Sequence, residues 1–94
     1  MPMKRPAPSP SHSAARRFVR SEDGAVAFTL SRAPMGIFVE RVQFRQGRGR
    51  VTHAAIFTDD TSFERWCDAD SVRFDYPLVH INLKRHGNNL LRRE

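Results

Sequence analysis

Three glycine-bearing breaks divide residues 16–58 into four short β-patterned segments, which restricts the chain to a small antiparallel sheet. Phe18 and Val19 lead into Glu22-Asp23-Gly24, and Asp-Gly is a hairpin signal because both residues tolerate positive φ. After it, Val26, Phe28 and Leu30 alternate with Ala25, Ala27, Thr29 and Ser31, the period of a half-buried strand. Pro34 and Gly36 end that segment. Residues 37–45 and 50–58 are rich in β-branched and aromatic side chains and read as a second hairpin, with Gly47-Arg48 as its turn.

A helix follows. Thr61 and Glu64 have capping-box spacing, Asp59 and Asp60 suit the positive end of a helix dipole, and Phe63, Trp66 and Cys67 form an apolar stripe. The helix is expected to end by Asp70. Residues 76–86 allow two readings. Asp75, Pro77 and Gly87 suit a capped and terminated helix with Val79, Leu83, His86 and Leu90 in line, whereas Val79, Ile81 and Leu83 also alternate as in a strand. The helix is favoured. The fold class is therefore α+β: a four-stranded antiparallel sheet, a helix on one face, and a C-terminal helix or strand.

Residues 1–15 hold four Pro and three Ser with no large aliphatic residue, and are expected to form a disordered, basic leader. Residues 16–94 then make one domain, with a basic tail over 88–94. The leader has no apolar run like that of a secretory signal, and no segment is long and apolar enough to span a membrane. Cys67 is the only cysteine, which excludes an intrachain disulfide and points to a reducing, cytoplasmic setting. So thin a core makes a homodimer an expected way to bury more surface.

The net charge of +6 is unevenly placed. Residues 1–20 carry +5 and residues 84–94 carry +3, while residues 21–83 are −2. Within that middle, residues 32–50 are +4 and residues 59–75 are −4. Basic termini suggest a polyanion partner, DNA or RNA, whereas opposite patches suggest self-association or a protein partner.

Pairing the second hairpin about Gly47-Arg48 puts Phe38, Val42, Phe44, Val51, Ala55 and Phe57 on one face, expected to meet the helix. Arg41, Gln43, Arg45, Arg50 and Thr52 fall on the other, with Arg48 at the tip. Guanidinium groups match phosphate oxygens in bidentate geometry. Arg41, Gln43, Arg45, Arg48 and Arg50 are thus the candidate nucleic-acid contacts, assisted by Arg16, Arg17, Lys84 and Arg85. Glu40 and His53 fall diagonally together on the apolar face and are read as a structural pair. Cys67 reads as buried and inert. Four His and one Cys without paired ligand spacing make a metal site unexpected, and no catalytic residue or cofactor is assigned.

The stretch Gln46-Gly47-Arg48-Gly49-Arg50, followed by Phe63-Glu64-Arg65-Trp66 in the helix, resembles the single repeat of the Pur (purine-rich-element-binding) family. Over residues 16–70 the layout is also similar to the dimerising domain of PC-type transcriptional coactivators and to Whirly proteins. The resemblance implies a curved sheet over a helix, pairing through it, and single-stranded DNA or RNA on the sheet. Two departures stand out: the arginine-lined face lacks stacking aromatics, and residues 71–94 have no counterpart in a single repeat. The expectation is a small nucleic-acid-binding accessory protein of low sequence specificity. The competing expectation is an interaction or self-association module using the acidic helix and the basic hairpin.

Overall fold

The computed structural model describes residues 16–92; the expected leader, Arg93 and Glu94 lie outside the described residues. Strands β1 (Arg16–Arg20), β2 (Val26–Ala33), β3 (Gly36–Arg45) and β4 (Arg48–Phe57) form one antiparallel sheet in the order of the chain. Helices α1 (Asp60–Ala69), α2 (Val72–Asp75) and α3 (Pro77–Arg92) follow. The α+β class is as expected, and of residues 76–86 all but Tyr76, which links α2 to α3, are helical.

The two hairpin turns differ from a simple Gly-centred reading. Between β1 and β2, the buried Ser21 hydroxyl accepts from the N–H groups of Ala25 and Val26 at 3.1 and 3.2 Å and donates to Asp23 Oδ1 at 2.7 Å. Gly24 supplies the positive φ that the turn requires. Between β3 and β4 the turn is Gln46-Gly47, at φ +54° and +79°, the signature of a type I′ turn, so Arg45 faces Arg48. Placing the turn at Gly47-Arg48 is therefore corrected by one residue.

A register shift between Arg41 and Val42 changes the hairpin further. Near the tip Val42 pairs with Val51, whereas beyond the shift Arg41 pairs with His53, which leaves Thr52 as the extra residue. His53, Ala55 and Phe57 thereby join the face of Arg41, Val39 and Ile37. Ala54 and Ile56 join Phe38 and Glu40 on the opposite face.

The helices cover the Ile37–Val39–Arg41 side, not the Phe38–Val42–Phe44 side that the sequence suggested. β2 decides this. Phe28 and Leu30 stand opposite Arg41 and Val39, and together with Val19, Val26, Ile37 and Phe57 they pack against Phe63, Cys67, Val72, Val79, Leu83 and Leu90. Full burial of a Leu, Ile or Phe side chain contributes roughly 1.5–3 kcal/mol. β3 is apolar on both faces, so its own alternation cannot choose between them.

α1 is capped by Asp59 instead of Thr61: its carboxylate accepts from the Ser62 N–H at 2.8 Å and the Ser62 hydroxyl at 2.6 Å. Asp70 then accepts from the Val72 N–H at 2.9 Å as the chain turns into α2. α3 starts at Pro77, as expected, but Gly87 does not stop it. A Cβ at Gly87 would come within 2.1 Å of the Phe63 ring, so glycine here permits α3 to lie close against α1. The helix continues to Arg92, Leu90 is buried, and Asn88 Nδ2 donates to Glu64 at 2.7 Å. Residues 88–92 are thus packed helix, where a tail was expected.

Candidate nucleic-acid interface

The nine expected contacts fall into three separate groups. Arg41 is committed elsewhere: its Nε and Nη2 donate to Asp70 at 2.9 and 3.4 Å, with only 15% of the side chain exposed. Its Nη1 also donates to Gln43 Oε1 at 3.1 Å, which orients Gln43 as well. This ion pair ties β3 to the α1–α2 junction. Arg45, Arg48 and Arg50 are exposed at the hairpin tip, with Arg45 paired to Arg48 and Gln43 to Arg50 on the helix side of the sheet.

Lys84 donates to Asp68 at 3.1 Å, and His80 Nε2 lies 2.9 Å from the same oxygen. The donors Lys84 and His80 hold the Asp68 carboxyl below its ordinary range. Arg85 donates to Asn82 Oδ1 at 2.8 Å on the outside of α3. Arg17 pairs with Leu30 on the helix side and donates to the Arg16 carbonyl at 2.9 Å. Of the nine, Arg16 alone projects on the helix-free face, in register with Ser31, Phe38 and Ile56.

Glu40 and His53 stand on opposite faces, so the expected diagonal pair does not form. Glu40 accepts from the Thr29 hydroxyl at 3.2 Å, while the His53 ring stacks on Trp66 with centroids 5.3 Å apart. Cys67 is fully buried, and burial pushes its thiol up to about 12, which keeps it protonated and inert. Among the described residues, no group of three or more His, Cys, Asp or Glu could hold a metal ion. No described helix is long and apolar enough to cross a membrane.

The helix-free face, opposite the one that carries Arg41, Gln43 and Arg45, holds aromatic side chains. β2 contributes only Ala27, Thr29 and Ser31 there, so its small side chains make a trough floor. On the β1 side stand Arg16, Phe18 and Arg20; on the β3 side stand Phe38, Glu40, Val42 and Phe44. Phe18 is 58% exposed, and Val51 and Ile56 extend the apolar surface across β4 at 51% and 59%. The Arg20 guanidinium lies 4.7 Å from the centroid of the Phe44 ring. Gly49 lies beneath that ring, where a Cβ would meet Phe44 Cε1 at 2.7 Å.

The trough is about 10 Å from wall to wall, two strand spacings; it is accessible at Thr29 and Ser31 and covered at Ala27, where Arg20 lies over Phe44. It can take an extended chain, offering the exposed Phe18 ring and two guanidinium groups, one of them resting on Phe44, against one carboxylate. The sequence does contain a signal for it. Ala27, Thr29 and Ser31 are small at the positions alternating with Val26, Phe28 and Leu30, and that asymmetry marks which side of β2 is open.

Comparison of the chain with protein-family models, with curated proteins and with solved structures gives no match.

Proposed function

We propose that the chain is a small accessory protein that binds single-stranded nucleic acid in the trough on the helix-free face of its sheet. The observation that carries this is the placement of Phe18, Phe38 and Phe44 with Arg16 and Arg20 around a floor of small side chains. A single strand presents flat bases and a charged backbone together. Phenyl rings stack on bases of any identity, and arginines meet phosphates with release of counterions. Polar groups able to read a base edge are few on this face: Thr29, Ser31 and Glu40. Low sequence specificity follows. The proposed surface is the aromatic face instead of the arginine-lined one, because Arg41 is engaged by Asp70 and the exposed Phe18 ring stands between Arg16 and Arg20 on the open side. The single, buried thiol suits a reducing, cytoplasmic setting.

Fluorescence anisotropy with labelled single- and double-stranded oligonucleotides tests the proposal. Phe18→Ala and Phe38→Ala should each weaken single-strand binding by roughly 5- to 150-fold, corresponding to about 1–3 kcal/mol per stacked base. Arg16→Ala with Arg20→Ala should flatten the dependence of affinity on salt. Glu40→Gln, which removes the one acid of the trough, should tighten binding. Unchanged affinity in the phenylalanine variants would contradict the assignment.

A further inference from the structure

In a four-stranded meander β1 and β3 run toward the same end of the sheet, so the β1–β2 and β3–β4 turns share that end. The Phe44 N–H donates to the Ala25 carbonyl there at 2.8 Å, which holds the two turns side by side. They carry opposite charge. The β3–β4 tip presents Arg45, Arg48 and Arg50, all exposed. The β1–β2 turn forms, with the α2–α3 junction, a cleft of about 340 Å³ whose rim holds Glu22, Asp23 and Asp75 and whose wall includes Tyr76, Pro77 and Leu78.

The cleft is built firmly. Tyr76 OH donates to Asp23 Oδ2 at 2.7 Å, joining turn to helix junction, and Asp23 Oδ1 accepts from the Ala25 N–H at 2.9 Å. Among the described residues no ion pair engages Glu22, Asp23 or Asp75, and none engages Arg45, Arg48 or Arg50. Apolar surface adjoins it: Phe74 is 75% exposed and Leu78 is 65% exposed. The cleft therefore offers carboxylates over an apolar wall, which suits the aliphatic stem and charged head of an arginine.

We infer that this end of the sheet is a dimer interface in which the arginine tip of each copy enters the acidic cleft of the other. The geometry selects the symmetry. A two-fold axis normal to the sheet at this end exchanges left for right, so each acidic cleft comes to face the partner's basic tip. Both contacts form at once and the assembly closes at two copies. The helix layers stay on one side, and the two helix-free faces become a single continuous surface on the other. The inference rests on charge complementarity and topology, and it stands independently of what the trough binds.

Sedimentation equilibrium of the full chain at low salt, without nucleic acid, tests it. The wild-type chain should show twice the chain mass and dissociate as salt rises. Reversing the cleft with Glu22→Arg and Asp75→Arg, or the tip with Arg48→Glu and Arg50→Glu, should each weaken the dimer by about tenfold or more. An equimolar mixture of the two variants should restore the dimer, because both contacts are then attractive again. A monomeric wild-type chain, a salt-insensitive dimer, masses beyond two copies, or a dimer untouched by either reversal would each overturn the inference. The wild-type measurements decide the matter even if a reversed variant fails to fold.

Discussion

Arg41 and His86 are both ionisable groups on the covered side of the sheet, and their neighbours determine what each can do. Arg41 is neutralised by Asp70, so its charge serves to hold β3 against the α1–α2 junction. His86 has no such partner: its Nδ1 lies without a hydrogen bond among the described residues. Desolvation, followed by the nearby Arg17 and Arg85 charges, lowers its pKa below the ordinary imidazole value. The folded state therefore binds a proton less readily than the unfolded chain. The associated stability is complete above the ordinary imidazole value of ~6.5 and declines as pH falls below it. Thermal midpoints measured from pH 8 downward should drop through this range in the wild-type chain, and the drop should shrink in His86→Gln. An identical drop in both would assign the pH dependence to other groups.

At the scale of elements, strand number and the regions where α1 and α3 begin were legible in the sequence because breaks and first-turn residues are local signals, whereas the short α2 was not expected. Pro34, Gly36, Gly47 and Asp59 each act within a few residues. Which face is covered was not legible from β3, since Ile37 and Val39 compete with Phe38, Val42 and Phe44 for the interior. The shift at Thr52 is equally invisible in a strand whose alternation is weak on either side of it. Only β2, with small residues strictly on one side, held the answer. Gly87 was misread for a different reason: a glycine that ends a helix and one that admits a neighbouring ring look the same in one dimension. The structure distinguishes them and yields a test. Gly87→Ala should raise intrinsic helix propensity by about 1 kcal/mol but force a methyl group against Phe63. Overpacking of that kind costs typically 1–3 kcal/mol. Urea unfolding should therefore show net destabilisation, and a gain in stability would mean that α3 and α1 are not in close contact at this point.

For the molecule as a whole, the two sides of one sheet differ in what they leave accessible. The helix side holds the core and the ion pairs Arg41–Asp70 and Lys84–Asp68, which engage two of the cations that composition alone would assign to a polyanion. The open side is left with rings, two arginines and a floor of small residues. The sheet end bears the opposed charges that can join two copies. Dimerisation about that end would set two troughs end to end, so a strand long enough to reach both should bind more tightly than two short ones.

The central claim is that nucleic acid lies in the trough, and titration of the isotope-labelled chain with an unstructured oligothymidylate, followed by amide and aromatic NMR shifts, tests it most directly. The account predicts the largest changes at Phe18, Phe38 and Phe44, at Thr29 and Ser31 between them, and at Arg16 and Arg20. Changes confined to Arg45, Arg48, Arg50 and the helices, with the phenylalanine rings unmoved, would contradict it.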